Sequence, residues 1–152
     1  MGSGILVTIG IAVYNGAAFL GEALESSFRQ THTEIEVMLY NDGSTDATLD
    51  IAKSYRDHRL TIIEAGLNSG VAAGRQVIKT LARGDYLTWL DADDRFLPDR
   101  VAHLLDHAKK TGADLVCDTY RCIDEAGSYL DKLIFTPRSE ERRVGKECRS
   151  RW

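Results

Sequence analysis

The run Ile5-Leu-Val-Thr-Ile-Gly-Ile-Ala-Val13 constrains this chain more than any other stretch. It is almost continuously apolar and rich in β-branched residues, with no polar alternation to mark a solvent-facing side. Such a run fits a strand buried on both faces, which means a parallel sheet covered by helices above and below. It is too short to cross a bilayer and lacks the positive flank of a signal peptide, so a cytoplasmic chain is expected. Tyr14-Asn15-Gly16 then breaks the strand.

The pattern that follows repeats the same unit. A helix is predicted with Phe19, Leu20, Ala23, Leu24, Ser27 and Phe28 on one stripe. A second strand from Ile35 to Tyr40 ends at Asn41-Asp-Gly-Ser-Thr-Asp46 and feeds a helix with Leu49, Ile51, Ala52 and Tyr55, for which Asp46 or Ser44 is a natural N-cap. A third strand, Leu60 to Glu64, passes through Asn68-Ser69-Gly70 into a helix with Val71, Ala72, Val77, Ile78 and Leu81. A fourth, Tyr86 to Leu90, precedes a helix that Pro98 is expected to open. Asp114 to Tyr120 reads as a further strand and Asp124 to Gly127 as a hairpin turn. Four strand–helix alternations predict an α/β fold: a Rossmann-like, doubly wound, mostly parallel sheet with helices on both faces. Ligands in such sheets bind beyond the carboxyl ends of the strands.

The unusual residues fall at those ends. The fourth strand stops in Asp91-Ala-Asp-Asp94, three carboxylates within four residues. Like charges that close repel unless a cation sits among them, and Mg²⁺ or Mn²⁺ takes few carboxylates while leaving positions for a substrate's phosphates. A solvated acidic turn is the plainer alternative. Asp42-Gly-Ser-Thr-Asp46 reads either as a capped turn or as a carboxylate that accepts a base N–H, with Gly43 letting the backbone come close. Tyr14 offers a face for stacking or simply packs, and Arg75 is either a surface charge or a cation toward a base or pyrophosphate.

Several chemistries are excluded. A net charge of −4 provides no basic face for nucleic acid. There is no Gly-x-Gly-x-x-Gly, no P-loop and no EF-hand spacing. His103 and His107 share a helix face without a ligand constellation, and Cys117 and Cys122 are expected to be reduced, pointing to opposite faces of a strand.

Taken together these motifs resemble the family 2 glycosyltransferases, nucleotide-sugar-dependent enzymes of the GT-A fold. The resemblance rests on Val13-Tyr14-Asn15, Asp42-Gly-Ser-Thr-Asp46, Asn68-x-Gly70-Val-x-x-x-Arg75, Gly84-Asp-Tyr with Asp91-Ala-Asp-Asp94, and Leu97-Pro-Asp-Arg100, in that order over residues 5 to about 130. Gly74 and Gln76 depart from the family's more usual Ala and Asn. The resemblance implies an inverting transferase that moves a sugar from a nucleotide sugar, usually a UDP-sugar, to a glycan or lipid acceptor. It places Val13, Tyr14, Asn15, Asp42, Arg75, Asp91 and Ala92 around the nucleotide sugar. Tyr14 would stack on the base and Asp42 would accept its N3–H. Asp93 would bind Mg²⁺ or Mn²⁺, with Asp91 at the ribose or beside the metal. The catalytic base and the acceptor half would lie beyond residue 137.

The last fifteen residues, Arg138 to Trp152, lack periodicity and carry six Lys/Arg against three Asp/Glu. They resemble, codon by codon, the translation of a common sequencing-library adapter. The expectation is therefore a GT-A nucleotide-sugar-binding domain over residues 1–137, C-terminally truncated, followed by a non-native tail over 138–152. Surface exposed by truncation would favour a homodimer, and the full-length parent could be membrane-associated. The alternative is a non-catalytic nucleotide-binding module acting as an assembly partner. A phosphatase-like use of Asp91 as nucleophile is disfavoured by Arg95 at the position where a Thr or Val is expected.

Overall fold

The computed structural model describes residues 4–118, 121–124 and 128–133. The predicted tail and the segment joining it therefore lie outside the described residues. The chain forms two compact units, residues 1–106 and 107–152.

The first unit is built on β1 (Val7–Val13), β2 (Ile35–Asn41), β3 (Leu60–Glu64) and β4 (Tyr86–Trp89). They form one sheet in the order β3-β2-β1-β4, every pair parallel. Helices α1 (Leu20–Phe28), α2 (Thr48–Ser54) and α3 (Val71–Leu81) connect them, and α4 (Arg100–Thr111) follows β4. The expectation of a doubly wound α/β sheet is met.

Alternation along the central strands decides which helix goes where. Ile9 and Ile11 of β1 and Val37 and Leu39 of β2 point to one face. There they join Leu20, Ala23 and Leu24 of α1, Ala52 of α2, and Val101 and Leu105 of α4. Each Val, Leu or Ile side chain among these, fully buried, contributes roughly 1.5–3 kcal/mol. The opposite face belongs to α3, where Ile78 packs on Met38 and Tyr40. That approach is close because Gly74 has no side chain: a Cβ there would lie 2.6 Å from Tyr40 Cδ1.

One buried charge is locked into this face. Glu36 accepts hydrogen bonds from the Thr8 hydroxyl at 2.7 Å and from the Arg83 backbone N–H at 2.7 Å and Nε at 2.8 Å. Burial pushes its carboxyl up, but these donors outweigh burial and hold it below the usual range. The network ties β1, β2 and the turn before β4 at the end of the sheet away from the acidic turn.

Two boundaries differ from expectation. The last helix of the alternation starts at Arg100 rather than at Pro98. The Leu97 carbonyl accepts from Gln30 Nε2 at 2.8 Å and the Pro98 carbonyl from the Thr31 N–H at 2.8 Å, which keeps this segment a turn. Residues 114–118 form no strand. The strand of the second unit is β5 (Arg121–Ile123), paired antiparallel with β6 (Tyr129–Leu133). Cys117 is consequently exposed on a non-strand segment, as a free thiol. The Asp124 N–H donates to the Ser128 carbonyl at 3.0 Å, in keeping with a hairpin whose tip, residues 125–127, lies outside the described residues. Among the described residues no helix is long and apolar enough to cross a membrane.

Candidate nucleotide-sugar site

The strand order contains a switch point. β2 and β3 extend the sheet to one side of β1, whereas β4 lies on the other. The loops leaving β1 and β4, whose helices α1 and α4 share one face, stand side by side there and line the crevice expected above the carboxyl ends of the strands. Tyr14 and Asn15 lie at one wall and the turn Asp91–Asp94 at the other. The walls come close at Gly16, where an added Cβ would lie 3.6 Å from Ala92 Cβ.

The β1 loop is clasped by the loop after β2. Three successive backbone N–H groups donate to side-chain oxygens of that loop and of the first residue of α2: Asn15 to Ser44 Oγ at 3.0 Å, Gly16 to Thr48 Oγ1 at 2.9 Å, and Ala17 to Asp46 Oδ2 at 3.1 Å. Asn15, in the left-handed region at φ 52°, returns the contact by accepting from the Thr45 N–H at 2.8 Å. Asp46 also accepts from the Thr48 N–H and hydroxyl. The Thr48 hydroxyl is the largest influence holding the Asp46 carboxyl below its ordinary value. The expected N-cap thus serves as a clasp between two loops, and it leaves the Tyr14 ring half exposed at the rim.

Asp42 sits beneath this rim, 3% exposed. Its Oδ1 accepts from the Ser69 N–H at 2.8 Å and the Ser69 hydroxyl at 2.9 Å, and its Oδ2 from the Gly70 N–H at 2.7 Å. Burial pushes this carboxyl up, yet the three donors prevail and keep it ionised below the usual range. Gly43 makes the arrangement reachable. It adopts φ 71°, and a Cβ on it would stand 2.9 Å from the Asn68 nitrogen, so the two loops touch backbone to backbone.

Across the crevice Arg75 of α3 donates from Nη2 to Asp91 Oδ1 at 2.6 Å and lies over the Trp89 ring, 5.5 Å from its centroid. The acidic turn closes through the Asp94 N–H to the Asp91 carbonyl at 3.0 Å. Burial raises the Asp94 carboxyl, and the charges of Asp93 and Asp91 raise it further. The turn therefore gathers negative charge that Arg75 answers only at Asp91. Among the described residues no three His, Cys, Asp or Glu side chains form a ready-made metal cage. The donors are nonetheless hard carboxylate oxygens on a half-open turn, which suits a Mg²⁺ or Mn²⁺ ion that shares its shell with phosphates and water.

The structure thus brings Tyr14, Asn15, Asp42, Arg75, Asp91, Ala92 and Asp93 to one edge of the sheet. Val13 ends β1 at the same edge, its side chain buried in the core and its carbonyl accepting the Asp42 N–H at 2.8 Å, so this residue also holds the β1 and β2 ends together. Sequence reasoning missed Ser69, Trp89 and the clasp of Ser44, Asp46 and Thr48 on the β1 loop. A hydroxyl in a polar loop carries no sign of the carboxylate it will meet 27 positions away.

Comparison with known proteins shows the family to which this fold belongs. The family described as glycosyl transferase family 2 matches residues 8–148. Glycosyltransferase GlyA of Streptococcus pneumoniae serotype 4 is 34% identical over 122 residues, covering 79% of this chain and 17% of that protein. The uncharacterized glycosyltransferase EpsJ of Bacillus subtilis is 32% identical over 142 residues, covering 91% and 40%. Among solved structures, S. aureus TarS 1-349 in complex with UDP-GlcNAc superposes with a TM-score of 0.68 at 28% identity, over 71% of this chain and 32% of that one. The mannosyltransferase PcManGT of Pyrobaculum calidifontis, in complex with GDP-Man and Mn²⁺, gives 0.59 at 28% identity, over 77% and 35%. The chain spans less than half the length of each of these four proteins. With a family match over residues 8–148 and the strand-end loops in place, the chain belongs to glycosyl transferase family 2.

Proposed function

We propose that this chain binds a nucleoside diphosphate sugar, with UDP as the nucleotide, and forms the donor-binding part of an inverting enzyme that transfers the sugar to a glycan or lipid acceptor. The observation that carries this reading is the turn at Asp91–Asp94. Its carboxylates crowd one another at the switch point, directly across from Tyr14 and the β1 loop. The TarS and PcManGT complexes, which hold UDP-GlcNAc and GDP-Man with Mn²⁺ respectively, support a nucleotide-sugar ligand and a divalent ion.

Each residue then has a physical task. Tyr14 presents an exposed ring for stacking against the base. Asp42, kept ionised, is an acceptor only, and so suits a base with a ring N–H such as uracil. Arg75 and Asp91 hold each other at the point where ribose and diphosphate would meet, and Asp93, beside Asp91, would hold the ion. Bound there, Mg²⁺ or Mn²⁺ supplies countercharge for the diphosphate as it departs. The clasp at Ser44, Asp46 and Thr48 keeps the stacking loop from having to order on binding.

The test is release of UDP from UDP-GlcNAc by the purified chain. Slow, Mn²⁺-dependent hydrolysis that Asp93→Asn abolishes supports a donor site able to activate its leaving group. Nucleotide binding without any hydrolysis favours the alternative of a non-catalytic binding module, and hydrolysis indifferent to Asp93→Asn removes the metal assignment.

A further inference from the structure

We propose that Ser69 is a positioning residue for base recognition: its hydroxyl fixes the Asp42 carboxylate so that Oδ2 alone is left to read a ring N–H. The inference rests on the reading that Asp42 meets the base, and goes beyond it by assigning which oxygen does so and what aims it. A carboxylate offers about four lone-pair sites, two on each oxygen. On Oδ1 both are taken, by the Ser69 N–H at 2.8 Å and the Ser69 hydroxyl at 2.9 Å. On Oδ2 one is taken, by the Gly70 N–H at 2.7 Å. Among the described residues no further donor reaches this carboxylate, and one acceptor site remains.

Two of these three donors are backbone groups that any residue at position 69 or 70 supplies. The hydroxyl is the only side-chain contribution, and it comes from an exposed residue. It is also presented with little freedom, because Gly43 lets the two loops touch and Gly70 turns the chain at φ 88°. Without the hydroxyl a lone pair opens on Oδ1, next to the surface. The carboxylate then offers two acceptor directions instead of one, and geometric discrimination for a ring N–H relaxes.

The experiment uses UDP and N3-methyl-UDP, which differ only at N3, where a methyl group replaces the proton that Asp42 is said to read and adds bulk at the same point. Binding of each is measured calorimetrically in the wild-type chain, Ser69→Ala and Ser69→Thr. A hydrogen bond to a charged group predicts discrimination of about tenfold or more in the wild type. Ser69→Thr keeps the hydroxyl and should keep this ratio. Ser69→Ala should lower it to about threefold or less through weaker UDP binding. Its melting temperature should fall too, because the buried Asp42 carboxylate loses a donor, so the ratio between the two nucleotides is the readout that a loss of stability alone does not move. Equal weakening of both nucleotides by Ser69→Ala would mean a merely structural contact and would overturn the proposal. So would an unchanged ratio, or tighter UDP binding, which would make the hydroxyl a competitor. If the wild type itself fails to discriminate while binding UDP, the assignment of Asp42 to the base falls, and this inference with it.

Discussion

Arg75 and Asp91 come from α3 and from the turn after β4, yet Nη2 and Oδ1 meet at 2.6 Å, with the guanidinium also laid over Trp89. The pair ties α3 to the turn that forms one wall of the switch-point crevice. It places a fixed cation beside the carboxylates that would otherwise carry the whole negative charge of the acidic turn.

Arg75→Met should therefore separate stability from binding. Both side chains are about two-fifths exposed, so screening limits the loss of stability to about 1 kcal/mol or less. Nucleotide affinity should fall about tenfold or more, the worth of a charge-assisted bond to phosphate or to an ordered carboxylate. Arg75→Lys should not restore it, since a lysine cannot hold Asp91 and stack on Trp89 together. Thermal melts and calorimetry on the same samples check both halves.

Gly10→Ala tests how tightly the sheet carries the site. A Cβ there would lie 2.6 Å from Trp89 Cζ3 and 3.0 Å from Ile78 Cγ2, both on the face covered by α3. Overpacking of this kind costs about 1–3 kcal/mol. Urea unfolding should show that loss, and the displaced Trp89 should weaken nucleotide binding through its contact with Arg75.

The raised Asp94 carboxyl gives a pH dependence of definite sign. Burial and the neighbouring Asp93 and Asp91 disfavour its charged form in the folded chain. Its ionisation therefore opposes folding at neutral pH, and that penalty disappears as pH falls through the raised value and the group takes up a proton. Without metal, Asp94→Asn should be slightly more stable than wild type at pH 7 and equal to it in acid. With Mn²⁺ the order should reverse at pH 7, because the ion answers the crowded charge. Melting curves over pH, with and without Mn²⁺, decide it.

Asp46→Ala should loosen the clasp. Its carboxylate holds the Ala17 N–H and both donors of Thr48. The expected result is a lower melting temperature and faster hydrogen exchange at Gly16 and Ala17. Because the folded carboxyl lies below its ordinary value, its stabilisation is present above the ordinary carboxylate range and is lost as pH falls through the lowered value. The gap between Asp46→Ala and wild type should narrow there.

Much of the fold was legible because β1 and β2 are apolar over most of both faces and end in turn residues, a pattern that a covered parallel strand explains. The segment from Asp114 failed for the opposite reason. A strand needs a partner, and β6 pairs with Arg121–Ile123 instead, leaving Leu115 80% exposed. The start of α4 was displaced by bonds from Gln30 and Thr31, remote residues that local propensity does not see. At the site, Tyr14, Asp42 and the Asp91 turn were readable from residue type at strand ends. What holds them was not, since Ser69 stood at an open position of its motif and Asn15 spends its side chain on Thr45.

The most direct measurement is calorimetric titration of UDP into the folded chain with and without Mn²⁺. The account predicts binding that Mn²⁺ strengthens in the wild type and leaves unchanged in Asp93→Asn. A folded chain that binds no UDP, or binds it equally with and without the ion, would contradict the donor site built on Asp91–Asp94.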